Sequence, residues 1–188
     1  MYAVELFFDA PFEAYVRSVW KTLSDRNIST EMQDICGVRP HLTMAVYDDI
    51  PRLDTFFERF SAWTESSPAI HLKFDVLAFF PASGTLFLGP TVTDSLIRWH
   101  RQYHAEFDEL LPNPHSFYVP NQWVPHCTLA IRLTPDQAAE AMAFCYPDFR
   151  PLQTRVIEAG VVKLGYDSNH RCTSSSTIHF GRVGDECR

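Results

Sequence analysis

The sequence predicts an α+β fold, one domain over residues 1–188 built as two similar lobes. Three observations carry that reading. Strand-like and helix-like patterns follow one another in the order β-α-β-α-β-β-α-β-α-β-β. Pro40–Val46 reads PHLTMAV and Pro125–Ile131 reads PHCTLAI, so the second half echoes the first with four identities in seven positions. Ser83-Gly84 stands between two apolar runs, which is the signal of an antiparallel hairpin. Alternation alone also admits a parallel α/β sheet. No glycine-rich phosphate loop follows any strand, which removes the usual nucleotide-binding version of that class.

Taken in order, Tyr2 to Phe8 is aromatic and apolar enough for a strand, and Asp9-Ala10-Pro11 ends it. Phe12, Tyr15, Val16, Val19 and Trp20 fall at helical spacing, predicting a helix to about Leu23. A polar stretch leads into PHLTMAVYD, a strand whose Pro40 sits at the start, where a missing N–H does least harm. Asp49 to Pro51 opens a helix with Leu53, Phe56, Phe57, Phe60 and Trp63 on one face; these read as core, not as a stacking platform. Ile70–Phe80 and Thr85–Leu88 form the hairpin. Thr93 caps a helix to about Leu111, with Leu96, Ile97, His100, His104, Phe107 and Leu111 in its periodic positions. Pro112 to Pro120 is an irregular connection. VPHCTLAIRL is the second motif strand, and Thr134-Pro135-Asp136 opens a helix through Cys145. Val156–Tyr166 and Thr177–Phe180 close the chain as strands around a polar turn.

Alternation along a strand places His41, Thr43 and Ala45 on one face and Leu42, Met44 and Val46 on the other. The same parity groups His126, Thr128 and Ala130 against Cys127, Leu129 and Ile131. Each strand thus offers a core side and a side with an imidazole and a hydroxyl about 6.7 Å apart along the chain. Imidazole is the side chain that titrates nearest neutral pH, so two of them can give and take protons at one centre. Hydroxyls bond an anion's oxygens without adding charge. Two of each suit phosphodiester hydrolysis, with water entering on one side and an alcohol leaving on the other. Neither a metal nor a cofactor is required.

Other residues have a bland reading beside the functional one. A single His-x-Thr on a strand is usually a satisfied, half-buried histidine; the matched pair is what favours a site. His100 and His104 form H-x-x-x-H on a helix, but no Glu follows His100 and no third ligand is evident, so a helix surface or lobe contact is favoured over zinc. Cys127 lies opposite His126 and reads as core. Trp123, Tyr118 and Tyr166 stand where they could stack a base or line a cleft. Arg39 and Lys163 could offer phosphate a cation, against the ordinary reading of surface charge. His71, His115, His170 and His179 read as ordinary strand or surface positions.

The bulk numbers limit the partners. A formal net charge of −7 argues against a long nucleic-acid duplex and leaves room for a small nucleotide or an RNA end. Five cysteines with no CxxC pair fit reduced thiols. MYAVELFFDA carries Glu5 and Asp9 and no basic flank, so it reads as neither signal peptide nor membrane span, and the expected location is the cytoplasm.

The two H-x-T-x motifs, His41-Leu42-Thr43-Met44 and His126-Cys127-Thr128-Leu129, about 85 positions apart, resemble those of the 2H phosphoesterase superfamily, which includes RNA 2′,3′-cyclic phosphodiesterases and the proteins called 2′–5′ RNA ligases. The resemblance implies a bilobal, duplicated β-α-β fold with two mainly antiparallel sheets around a central cleft. It implies that His41 and His126 are a catalytic acid–base pair, that Thr43 and Thr128 bind the substrate phosphate, and that no metal takes part. The expected activity is hydrolysis of a 2′,3′-cyclic phosphate on a small nucleotide or RNA end. The rivals are a non-catalytic nucleotide-phosphate binding module using the same cleft, and a metal hydrolase built on His100 and His104.

Overall fold

The computed structural model describes residues 1–108 and 115–184. Strand β1 (Tyr2–Phe8) leads through an Asp9 cap, whose carboxylate accepts from the Phe12 amide, into helix α1 (Ala10–Asp25). A short helix α2 (Glu31–Asp34), not expected from the sequence, precedes strand β2 (His41–Tyr47). Helix α3 (Leu53–Ser66), strands β3 (Ile70–Phe80) and β4 (Thr85–Pro90), and helix α4 (Asp94–Phe107) follow. Thr93 caps α4 as its sequence predicts; the expected extension to Leu111 lies outside the described residues. A 3-10 turn at Ser116–Tyr118 leads to strand β5 (Cys127–Ala130) and helix α5 (Pro135–Cys145), which opens with a Thr134–Gln137 capping box. Strands β6 (Leu152–Tyr166) and β7 (Cys172–Arg182) are longer than expected, because their polar outer faces hide the pairing from a hydropathy reading.

Among the described residues every pairing between the named strands is antiparallel, which excludes the parallel α/β alternative. The order is β2-β1-β6-β3-β4-β5, with β7 also on β6. The two expected sheets are two halves of one continuous ladder, and β6 is the reason. Its first residues, Leu152–Val156, pair with β3, and from Val156 onward it pairs with β1 and β7. A fifteen-residue strand is long enough to belong to both halves. The motif strands β2 and β5 end up at the two ends of the ladder and approach each other.

One core joins both halves. It includes Val4 and Leu6 of β1, Trp20 and Leu23 of α1, Phe56 and Phe60 of α3, Tyr103 and Phe107 of α4, and Cys127 and Leu129 of β5. A smaller cluster of Ala3, Phe7, Val46 and Val162 lies apart from it, with Tyr118 and Leu164 packed on it. Among the described residues, no helix is long and apolar enough to cross a membrane.

Candidate active site

The motif strands do not keep simple alternation. Along β1–β2 the register runs Val4↔Ala45 and then Glu5↔Thr43, so Met44 is an extra residue on β2. Along β4–β5 it runs Leu86↔Ala130 and then Phe87↔Thr128, so Leu129 is extra on β5. Each motif therefore carries a β-bulge directly after its threonine, and the parity of the residues beyond it flips. Ala45 and Ala130, expected beside the imidazoles, are fully buried in the main core instead. Val46 and Ile131, expected in the core, line the cleft. The shared rhythm H-x-T-φ-A-φ is thus explained: the alanine is the small core residue just past the bulge.

The bulges lie on end strands, whose outward carbonyls need partners. They find them in reciprocal fashion. The Trp123 indole N–H donates to the Thr43 carbonyl at 2.8 Å, and the Trp20 indole N–H donates to the Thr128 carbonyl at 3.0 Å. Each motif threonine is anchored by a tryptophan from the other half of the chain. The bulged Met44 carbonyl lies 3.1 Å from His100 Nε2 and 3.4 Å from His104 Nε2. His100 also donates to the Tyr118 carbonyl at 2.9 Å and stacks on Trp123 with ring centroids 4.0 Å apart. Burial, and secondarily the neighbouring His104, pushes His100 down to about 4, so it is neutral near pH 7. Of the helix surface or lobe contact expected for this pair, the structure has the contact: His100, buried, and His104, half-buried, latch onto β2. Among the described residues, no group of three or more His, Cys, Asp or Glu converges to hold a metal.

The two motif histidines share one local arrangement. His41 Nδ1 lies 2.7 Å from the Arg39 carbonyl, and His126 Nδ1 lies 2.7 Å from the Val124 carbonyl. A carbonyl only accepts, so each ring carries its proton on Nδ1 and leaves Nε2 to gain or lose one. Their surroundings differ. Glu5 Oε2 stands 3.6 Å from His41 Nδ1. His126 instead has the rings of Phe80 and Phe87 at 5.1 and 5.2 Å. Burial lowers the His126 pKa, its bond to Val124 opposes that, and His41 lowers it further, which is a sign that the two imidazoles are close enough to feel each other's charge.

Two cavities of about 490 Å3 each open here. Glu5, His41, Thr43 and Tyr166 line one; Phe80 and His126 line the other. Phe117, Tyr118, Thr128 and Ile131 line both, so they form a common wall. His41, Thr43, His126 and Thr128 are therefore brought to two adjoining cavities that share Thr128 as a wall, with Tyr118 in both and Tyr166 in the first. Trp123 is not: its N–H and its ring face are both occupied behind β2, so it does not line either cavity. Arg39 is also turned away, bonded to Glu13 at 2.8 Å and Glu158 at 2.6 Å, with its guanidinium over Phe7. Lys163 is exposed outside the cleft. Cys127 is fully buried and its thiol is pushed up to about 12 by that burial, the state of a core cysteine. Sequence reasoning missed Glu5, which sits in an apolar strand pattern, and His115, which lines the first cavity and lies 3.0 Å from Asp48. A glutamate interrupting the run AVELFF was the one available signal for the first.

Known proteins share this outline. A sequence model of the 2′-5′ RNA ligase superfamily matches residues 12–167. Among curated proteins, none matches the sequence. Of solved structures, TT0787 of Thermus thermophilus superposes with a TM-score of 0.61 at 15% identity, over 98% of this chain and 99% of the other. E. coli LigT in apo form superposes with a TM-score of 0.62 at 13% identity, over 98% and 97%. A structure of LigT complexed with 3′-AMP gives 0.60 at 12% identity, over 98% of each chain. At these identities the superpositions speak for the fold.

Proposed function

The chain belongs to the 2′-5′ RNA ligase superfamily, the 2H phosphoesterases that its two motifs resemble, and from that premise we propose that it is a metal-independent cyclic phosphodiesterase acting on a 2′,3′-cyclic phosphate of a small nucleotide or RNA end. One observation carries the reading: two imidazoles with the same Nδ1 anchor line adjoining cavities that have Thr128 as a common wall and Thr43 beside His41. That LigT has been solved with 3′-AMP supports a nucleoside phosphate as the size of ligand.

The reaction follows from the free Nε2 atoms. Water attacks phosphorus and gives its proton to a neutral Nε2. The ring P–O bond breaks, and the departing oxygen takes a proton from the other imidazole's Nε2–H. The Thr43 and Thr128 hydroxyls donate to the non-bridging oxygens, which carry more charge in the transition state. One water is consumed and a phosphomonoester with a free alcohol is formed. The two histidines exchange charge states during turnover and return to the start by exchanging a proton with solvent.

The test is hydrolysis of 2′,3′-cyclic nucleotides in EDTA. Wild type should turn over, and His41→Ala and His126→Ala should each lose about a hundred- to ten-thousandfold, or about 3–5 kcal/mol of barrier. Equal rates in all three proteins remove both histidines from the mechanism. Binding without product makes the cleft a binding module.

A further inference from the structure

The cleft handles a phosphate without the usual cations. Phosphate sites commonly use Arg or Lys, yet among the described residues neither type lines either cavity. Arg39, the nearest in sequence to His41, is committed to Glu13 and Glu158. The first cavity holds a carboxyl instead. Glu5 is 3% exposed, and its register partners are Thr43 on one side and Gly160 on the other. Its Oε2 has no hydrogen-bond partner and stands 3.6 Å from His41 Nδ1, whose proton already goes to the Arg39 carbonyl.

We propose that Glu5 is a specificity-determining residue that makes the cleft favour a singly charged phosphodiester over a doubly charged phosphomonoester. This rests on the cleft being the phosphate site proposed above. A cyclic phosphodiester carries one negative charge, whereas an alkyl phosphomonoester loses a second proton near pH 6. Bound between the motif residues, a phosphate lies beside His41 and hence beside Glu5. Its first charge meets the motif imidazoles and hydroxyls. Its second meets a buried carboxylate with no Lys or Arg lining the cavity to offset it, behind walls of low dielectric where like charges repel strongly. Burial already pushes the Glu5 carboxyl up, with His41 and then Arg39 pulling it back. Of the other titratable groups at this cavity, Tyr118, Tyr166 and Cys172 are acids, His115 is paired with Asp48 at 3.0 Å, and Met1 brings the α-amino group. The reaction itself converts the favoured charge state into the disfavoured one, so the same residue speeds product release. Discrimination by a placed repulsive charge is a general route to specificity.

The experiment uses two probes that do not turn over: 2′-deoxyadenosine 3′-methylphosphate, charge −1, and 2′-deoxyadenosine 3′-phosphate, charge −2, titrated calorimetrically at pH 7.5. Wild type should bind the methyl ester about tenfold tighter, against the ordinary trend that more charge binds better. Glu5→Gln, checked for folding by thermal unfolding, should tighten the monoester at least several-fold and the methyl ester by clearly less. Glu5→Met, which keeps the volume without polar atoms, should act alike if Gln fails to fold. A wild type that binds the monoester as tightly as the methyl ester overturns the proposal while leaving hydrolysis untouched. Binding of neither probe overturns it together with the phosphate site. Absence of hydrolysis alongside the expected binding ratio overturns the enzyme reading alone.

Discussion

At the residue scale, three of the eight histidines stand in three different electrostatic settings. His126 is lowered by burial against aromatic rings, and His41 sits next to a buried carboxyl. His100 is 1% exposed and lowered from 6.5 to about 4. The last has a consequence for stability. The unfolded chain takes up this proton below pH 6.5, while the folded chain resists it down to about pH 4. Stability is therefore intact above pH 6.5 and is lost as pH falls through that window, by about 3 kcal/mol from this residue. His104 is lowered as well and adds to the same trend. Urea unfolding at pH 7 and pH 4 should show wild type losing more stability than His100→Gln, whose own baseline is lower because the stack on Trp123 is gone. A pH dependence identical in both proteins would contradict the buried neutral state.

At the element scale, both motif strands are bulged and terminal in the ladder, and β5 has only four residues, which makes them weak elements on their own. Their rigidity comes from what donates to them. Trp123 and Trp20 each give an indole N–H to a motif threonine carbonyl across the halves. Removing either donor leaves a carbonyl without its partner, which costs about 1–3 kcal/mol where water cannot reach. Trp123→Phe and Trp20→Phe keep an aromatic ring and delete the N–H, so each should lower the unfolding free energy by that amount and bring the denaturant midpoint down with it. Because the donor faces the threonine that is proposed to bind phosphate, kcat should fall along with stability. If both variants unfold like wild type, the strands are held by packing alone.

At the whole-molecule scale, β6 makes the two halves one mechanical unit. It hydrogen-bonds β3 at one end and β1 and β7 at the other, and the main core runs through both halves. Unfolding should be one cooperative transition, with tryptophan fluorescence and far-ultraviolet dichroism giving the same midpoint; two separated midpoints would show that the halves melt independently. Element order was legible in the chain, because apolar spacing of 3.6 or 2 and the caps at Asp9, Thr93 and Thr134 are local signals. So was the choice of four polar residues to watch, since two copies of His-x-Thr at matching places stand out without any geometry. Alternation misplaced Ala45, Val46, Ala130 and Ile131, because a bulge is a mismatch between two strands and leaves no mark on either one alone. Trp123 was left undecided between stacking and packing, and Glu5 overlooked, for a related reason. A tryptophan near a cleft looks the same whether its ring faces ligand or histidine, and a glutamate in a strand looks like a solvent-facing residue until a neighbour covers it. Those assignments had to wait for the folded chain, because burial and partnership are made by strands from distant parts of the sequence, and strand alternation knows nothing of them.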